Sequence, residues 1–329
     1  MDRRLFVHVK AAVRASSTIT RPVISATDGE IAVSVFEDSL APRTRFDVNF
    51  HVGDIPVRIH PFFWLSTVLL GIPHGDDSFN EKVISLLLWI VIVCVSILVH
   101  ELGHVLMGRY FGTRGHILLT GFCGLAIGSN DLQERWQRNA VSLAGPGAGF
   151  LFAALFAGGC WLYNPAITLW TLGSLFGVEV DVARGVEIPP HFVLTIMRLM
   201  LWINIFWGLV NLLPVWPLDG GQISREICEH YRGRDGMRLS LVISLATAAA
   251  VAILAVIEWV MAKPLIPYLS FGERPLFPVI FFGLLAFQSW QLLRFIRMAG
   301  PDWDQEDQQP RAPWEQDPDW WKRGGRPYD

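Results

Sequence analysis

Six apolar stretches divide the chain, separated by polar, charged or turn-rich segments. The first, Pro61 to Ile72, is short and opens with Phe62, Phe63 and Trp64, aromatics suited to a membrane interface. The second runs from about Lys82 to Tyr110, and residues 86–99 within it carry no charge. With the residues up to Gly108, the stretch is long enough for the ~20 apolar residues with which a helix crosses a bilayer. The remaining four run from about Asn139 to Tyr163, Phe192 to Leu213, Leu239 to Met261 and Leu276 to Leu293. Each of the six is predicted to be a membrane helix.

Between the second and third stretches the pattern changes. Gly112 to Gly128 is apolar but interrupted by Gly112, Gly115, Gly121, Gly124 and Gly128, which argues against a helix. A hairpin or membrane-dipping strand pair is expected, its backbone covered by protein or lining a cavity. Glu30 to Phe36 and Phe46 to Ile59, with Val, Ile and Phe, suit strands in a small N-terminal extension, residues 1–57. Asn164 to His191 reads as a loop. The polar, Pro-rich end with Trp303, Trp314, Trp320 and Trp321 reads as a disordered tail, residues 298–329. The predicted fold is an all-α polytopic membrane protein of about six transmembrane helices, residues 58–297. A small membrane-associated β segment follows the second helix.

Composition agrees. Of the 329 residues 52% are hydrophobic and 17% charged, and the mean hydropathy of +0.37 is too high for an ordinary soluble domain. A net charge of −3 provides no basic surface for nucleic acid. Cys94, Cys123, Cys160 and Cys228 form no Cys-x-x-Cys pair, and those inside apolar spans read as buried thiols. Met1 to Thr27 lacks the continuous apolar core of a secretory signal.

Charge placement gives an orientation. Arg43, Arg45 and Arg58 precede the first span; Arg109, Arg114, Arg135 and Arg138 lie between the second and third. Arg225, Arg232, Arg234 and Arg238 lie between the fourth and fifth, and Arg294 and Arg297 follow the sixth. The alternate loops hold only Lys82, Arg184, Lys263 and Arg274. Positive residues mark the cytoplasmic side. Six crossings with both termini cytoplasmic follow, in a multi-pass protein of the cell (inner) membrane.

The chemistry lies at the ends of two spans. His100-Glu101-Leu102-Gly103-His104 closes the second. Histidines four apart share a helix face, so both imidazoles can reach one metal, and Glu101 is a candidate general base for a water there. A hydrolytic zinc takes three protein ligands and an open position, so a third ligand is needed. The fourth span ends in Asn211-Leu212-Leu213-Pro214-Val215-Trp216-Pro217-Leu218-Asp219-Gly220-Gly221. Its prolines and glycine pair break the helix, and Asp219 becomes a carboxylate on irregular backbone at membrane depth. The orientation above brings Asp219 to the same depth as His100 and His104. The Gly145-Pro146-Gly147-Ala148-Gly149 run suits close helix packing.

Three features together, the His100–His104 motif, the Gly145-Pro146 run and Asn211-x-x-Pro214-x-x-Pro217-Leu218-Asp219-Gly220, resemble the site-2 protease family of intramembrane zinc metalloproteases, over roughly residues 55–295. The resemblance implies zinc held by His100, His104 and Asp219, water activated by Glu101, and substrate positioned by Asn211 beside Pro214 and Pro217. It implies a membrane-anchored protein substrate in the lipid bilayer. The Asn that often follows Gly-Pro in that family is absent, which leaves packing for this run. With no PDZ or CBS segment apparent, regulation falls to another membrane protein or to the terminal segments. Two other readings stay open: a non-enzymatic membrane protein with a structural or transport metal site, and a silent scaffold for membrane helices. Glu101 favours the protease, because a structural site needs no base.

Overall fold

The computed structural model describes residues 41–72, 78–121, 123–178, 180–181, 188–261 and 276–299. The expected strand at Glu30 to Phe36 and the tail beyond Ala299 lie outside them. Ser78 starts the longest helix, α2 (Phe79–Tyr110), through a reciprocal cap: its hydroxyl accepts the Glu81 N–H, and the Glu81 carboxylate accepts the Ser78 N–H. His60 starts α1 (Pro61–Gly71), its Nδ1 accepting the Phe62 N–H at 3.2 Å, with Pro61 at the first helical position.

Four strands, β1 (Val48–Val52), β2 (Ile55–Ile59), β3 (His116–Thr120) and β4 (Cys123–Ile127), form one sheet in the order β1-β2-β3-β4. β1 and β2 pair antiparallel, β2 and β3 parallel, β3 and β4 antiparallel. The expected hairpin within 112–128 is β3–β4, and it turns at Gly121, whose φ of 57° favours glycine. The inner face of Ile55, Val57, Ile59, Ile117 and Leu119 packs on Phe63 of α1 and on Val93, Ile97 and Val105 of α2.

The remaining helices are α3 (Arg135–Tyr163), α4 (Pro165–Leu175), α5 (His191–Asn211, with a π turn at Ile203–Trp207), α6 (Asp219–Arg232), α7 (Gly236–Met261) and α8 (Leu276–Ala299). α4 occupies part of the segment expected as a loop. Asn164 caps it by accepting the Ile167 N–H at 3.2 Å, Pro165 opens it, and Ile167, Thr168 and Thr171 are buried. These cap residues are a helix start that the loop reading passed over.

Five helices among the described residues, α2, α3, α5, α7 and α8, are long and apolar enough to cross a membrane. The sixth expected span, α1, has 11 residues, or ~16 Å at 1.5 Å per residue. The Ser66 hydroxyl donates to the Gly121 carbonyl at the hairpin tip, and Trp89 Nε1 donates to the Thr67 carbonyl at 3.0 Å. α1 therefore runs back along α2 from the sheet towards residue 86, starting partway up the bundle.

α2 and α5 run parallel, since Glu81 and Ile84 line one cleft with His191 and Thr195. The C-terminal ends of both helices accordingly lie at the same end of the bundle. α7 and α8 pair antiparallel, with Leu241 against Leu293 and Ile296 at one end and Ala248 against Phe282 and Leu285 further along.

Candidate metal centre

One helical turn separates His100 from His104 on α2, and their Nε2 atoms approach to 3.2 Å. His104 Nδ1–H donates to the Val141 carbonyl of α3 at 2.7 Å. That bond fixes the ring and leaves Nε2 as the free donor atom for a metal. Gly145, one turn further along α3, lies against the same ring; a Cβ there would overlap it. Gly103 likewise sits on the Ala144 backbone and the Ala148 methyl. The Gly145 run does pack helices, as its composition implied, and what Gly145 itself packs against is the His104 ring.

Asp219 is the first residue of α6 rather than part of an irregular segment, which corrects the expectation. A carboxylate in the first turn of a helix is favoured by the backbone dipoles. Gly220 and Gly221 open the helix instead of breaking it: a Cβ on Gly220 would overlap the Leu212 carbonyl and one on Gly221 the Val215 backbone, so the incoming loop can lie on that turn. The loop is anchored from the other side. Val215 is fully buried, the Trp216 N–H donates to Ser244 Oγ of α7 at 2.8 Å, and Ser244 shares a 2.7 Å hydrogen bond with Ser289 of α8.

The Asp219 carboxylate faces both rings, Oδ2 at 3.1 Å from His100 Nε2 and Oδ1 at 3.3 Å from His104 Nε2. Zinc with bonds of about 2.0–2.1 Å in tetrahedral geometry separates its ligand atoms by about 3.3 Å. The spacing and the donor types, two imidazole nitrogens and one carboxylate oxygen, therefore fit zinc with a fourth position left over. Among the described residues this is the one group of three His, Cys, Asp or Glu side chains whose ligand atoms all lie within 4.8 Å of one another. All three residues are buried.

Glu101 is also buried, and its carboxyl group lies against Gly124 of β4 so closely that a Cβ there would overlap it. The base candidate thus stands between α2 and β4, one of the two outer strands of the sheet. The Asn211–Pro217 group is arranged differently. Asn211 is buried, and its Nδ2 donates back to the Trp207 carbonyl of its own helix at 2.9 Å. Pro214 is half-buried and Pro217 exposed, in the loop between α5 and α6. Gly124, Gly145, Val141 and Ser244 were missed as site residues by sequence reasoning. For the glycines the available signal was their recurrence beside the histidine motif in a chain of long apolar helices; a carbonyl acceptor such as Val141 leaves no trace in the sequence.

The model of Peptidase family M50 matches residues 88–255, half of the chain, and includes every residue of this centre. Zinc metalloprotease MJ0392 of Methanocaldococcus jannaschii is 27% identical over 180 residues, 54% of this chain and 44% of that protein. Stage IV sporulation protein FB of Bacillus subtilis is 31% identical over 174 residues, 51% and 46% of the two chains. Putative zinc metalloprotease Rip3 of Mycobacterium tuberculosis is 30% identical over 230 residues, 66% and 49%. The match spans about half the length of these curated relatives. A solved structure, the Site-2 Protease from Methanocaldococcus jannaschii, superposes with a TM-score of 0.44 at 19% identity, covering 75% of this chain and 94% of that one. With its histidine motif, its Leu218-Asp219-Gly220 segment and the intervening helix all inside the matched segment, the chain belongs to Peptidase family M50, the site-2 protease family.

Proposed function

We propose that this chain is an intramembrane zinc metalloprotease that hydrolyses a peptide bond in or near a transmembrane segment of a membrane-anchored protein, close to the cytoplasmic face. One observation carries the reading: two imidazoles and a carboxylate converge beside a buried glutamate at the ends of long apolar helices. In this reading His100, His104 and Asp219 hold the zinc. When bound, the metal supplies Lewis acidity towards a peptide carbonyl and towards water. Glu101 takes the proton from the attacking water and delivers it to the nitrogen of the departing amine.

A peptide bond in a membrane helix is shielded, because its carbonyl is hydrogen-bonded within the helix and lipid surrounds it. The substrate has to unwind and stay extended. β4 is one of the two outer strands of the sheet, and Gly124 brings it against Glu101. An extended substrate can add to that edge, main chain to main chain, so that its scissile bond passes Glu101. Asn211 then exchanges its Trp207 carbonyl for the substrate backbone. Pro214 and Pro217, which carry no backbone N–H, keep the facing loop out of helical conformation. The proposal places both termini in the cytoplasm and leaves room for a regulatory membrane protein.

The test uses the full chain in lipid vesicles with a single-span substrate. Wild type is expected to cleave, faster when helix-breaking residues are placed in the substrate span, and Glu101→Gln to bind zinc and substrate with almost no turnover. Turnover by Glu101→Gln at the wild-type rate would sink the protease reading and favour a transport or scaffold role. Cysteine labelling tests the orientation: the segments 164–191 and 225–238 should react from opposite sides.

A further inference from the structure

The two halves of the metal centre come from α2 and α6, and one stripe of α3 touches both. Val141 accepts His104 Nδ1–H, and Gly145 receives its ring. One turn before Val141, on the same face, stands Arg138. Its Nε and Nη2 each donate to the Glu226 carboxylate of α6 at 2.7 Å. Its Nη1 donates to the carbonyls of Leu132 and Gln133, both at 2.8 Å. This one guanidinium joins α6, α3 and the segment leading in from β4. A second tie runs alongside: Asn130 Nδ2 donates to Gln222 Oε1 at 3.3 Å and to Ser142 Oγ at 3.4 Å. Gln222 and Glu226 are one turn apart on α6, and Gln222 follows Asp219 by three residues, so both ties hold the helix that begins with the ligand.

We infer that Arg138 is a positioning residue for the metal centre: its two-pronged bond to Glu226 sets α6 on the same stripe of α3 that orients His104, and so fixes where Asp219 meets the two imidazoles. The start of α6 follows the short loop 212–218, and Asp219 touches the rings through one carboxylate. A shift or rotation of α6 along α3 would move that carboxylate away from the histidines. A planar, forked guanidinium resists such a shift better than a point charge, because both prongs must stay in line with both carboxylate oxygens. The inference rests on the reading that His100, His104 and Asp219 bind zinc.

The experiment measures zinc affinity of the purified full chain by competition with a chromophoric chelator, together with the absorption spectrum of the cobalt-substituted protein. Arg138→Met should weaken zinc binding about 10–100-fold, the range for residues that orient metal ligands, and alter the cobalt spectrum. Glu226→Gln, which preserves side-chain shape, should act in the same direction. The double exchange Arg138→Glu with Glu226→Arg should regain most of the affinity. Arg58→Met breaks a 2.7 Å bond from β2 to Asp47, the residue before β1, and should leave affinity and spectrum unchanged. Wild-type affinity in Arg138→Met and Glu226→Gln overturns the inference. So does a double exchange that regains nothing, or an Arg58→Met loss as large as that of Arg138→Met, which would mark a general stability effect. If wild type itself binds no zinc, the metal reading fails and takes this inference with it; if only the variants behave as wild type, the metal reading survives.

Discussion

His100 and His104 bring their geometry with them, whereas Asp219 receives its geometry from others. The histidines sit one turn apart in the interior of a 32-residue helix, so their separation follows from the helical repeat. They need only a carbonyl to fix one tautomer and a glycine to make room. Asp219 stands at the junction of a loop and a helix. Its place depends on Ser244 and Ser289 holding the loop, on Gly220 and Gly221 letting the loop lie down, and on Arg138 holding the helix. A ligand pair inside one regular element is robust to its neighbours. A single ligand at a junction is as well placed as its attachments allow, so damage at a distance should fall on the Asp219 half.

The largest expected effect separates chemistry from both halves. Glu101→Gln should reduce kcat by about 10²–10⁴-fold with zinc retained, measured as cleavage of a transmembrane substrate alongside metal content. Next comes a change that attacks the robust half at its one weak point. In Gly145→Val the side chain overlaps the His104 ring; overpacking at the upper end of ~1–3 kcal/mol would lower zinc affinity by roughly 100-fold, read by chelator competition. Gly147→Ala, with open space around it, should change nothing in the same assay.

Gly124→Val should crowd the Glu101 carboxyl without touching a ligand. Because the overlapped atoms belong to the movable end of a side chain, the loss should be about tenfold in kcat, small beside the ~100-fold that a displaced catalytic group can incur. Zinc affinity should stay as in wild type. Ser244→Ala leaves the Trp216 N–H without its acceptor. A hydrogen bond of ~1 kcal/mol corresponds to about fivefold weaker zinc binding if the loop transmits the loss to Asp219. No change in Ser244→Ala would show that the helix side alone holds the ligand.

The sequence disclosed the parts that follow from periodicity. Apolar length marks α2, α3, α5, α7 and α8, glycine spacing marks the β3–β4 hairpin, and the four-residue interval places both histidines on one face. Three features needed tertiary context. β2 pairs in parallel with β3, a contact between residues 57–59 and 117–119 that no local pattern records. α6 starts at Asp219 because Gly220 and Gly221 let the helix form beneath loop backbone, whereas in isolation a glycine pair reads as a break. Arg138 reads as a charge on the cytoplasmic side, and only the fold pairs it with Glu226, 88 residues away. Residue types show which chemistry is available; which of those residues meet depends on the packing of α3.

The central claim is that one zinc is shared by two histidines of α2 and the aspartate that opens α6. Zinc content of purified wild type and of Asp219→Ala, determined by mass spectrometry of the metal after dialysis against a weak chelator, tests it most directly. One zinc per wild-type chain and little or none in Asp219→Ala is the expected result. Full zinc occupancy in Asp219→Ala would remove Asp219 from the metal and contradict the account.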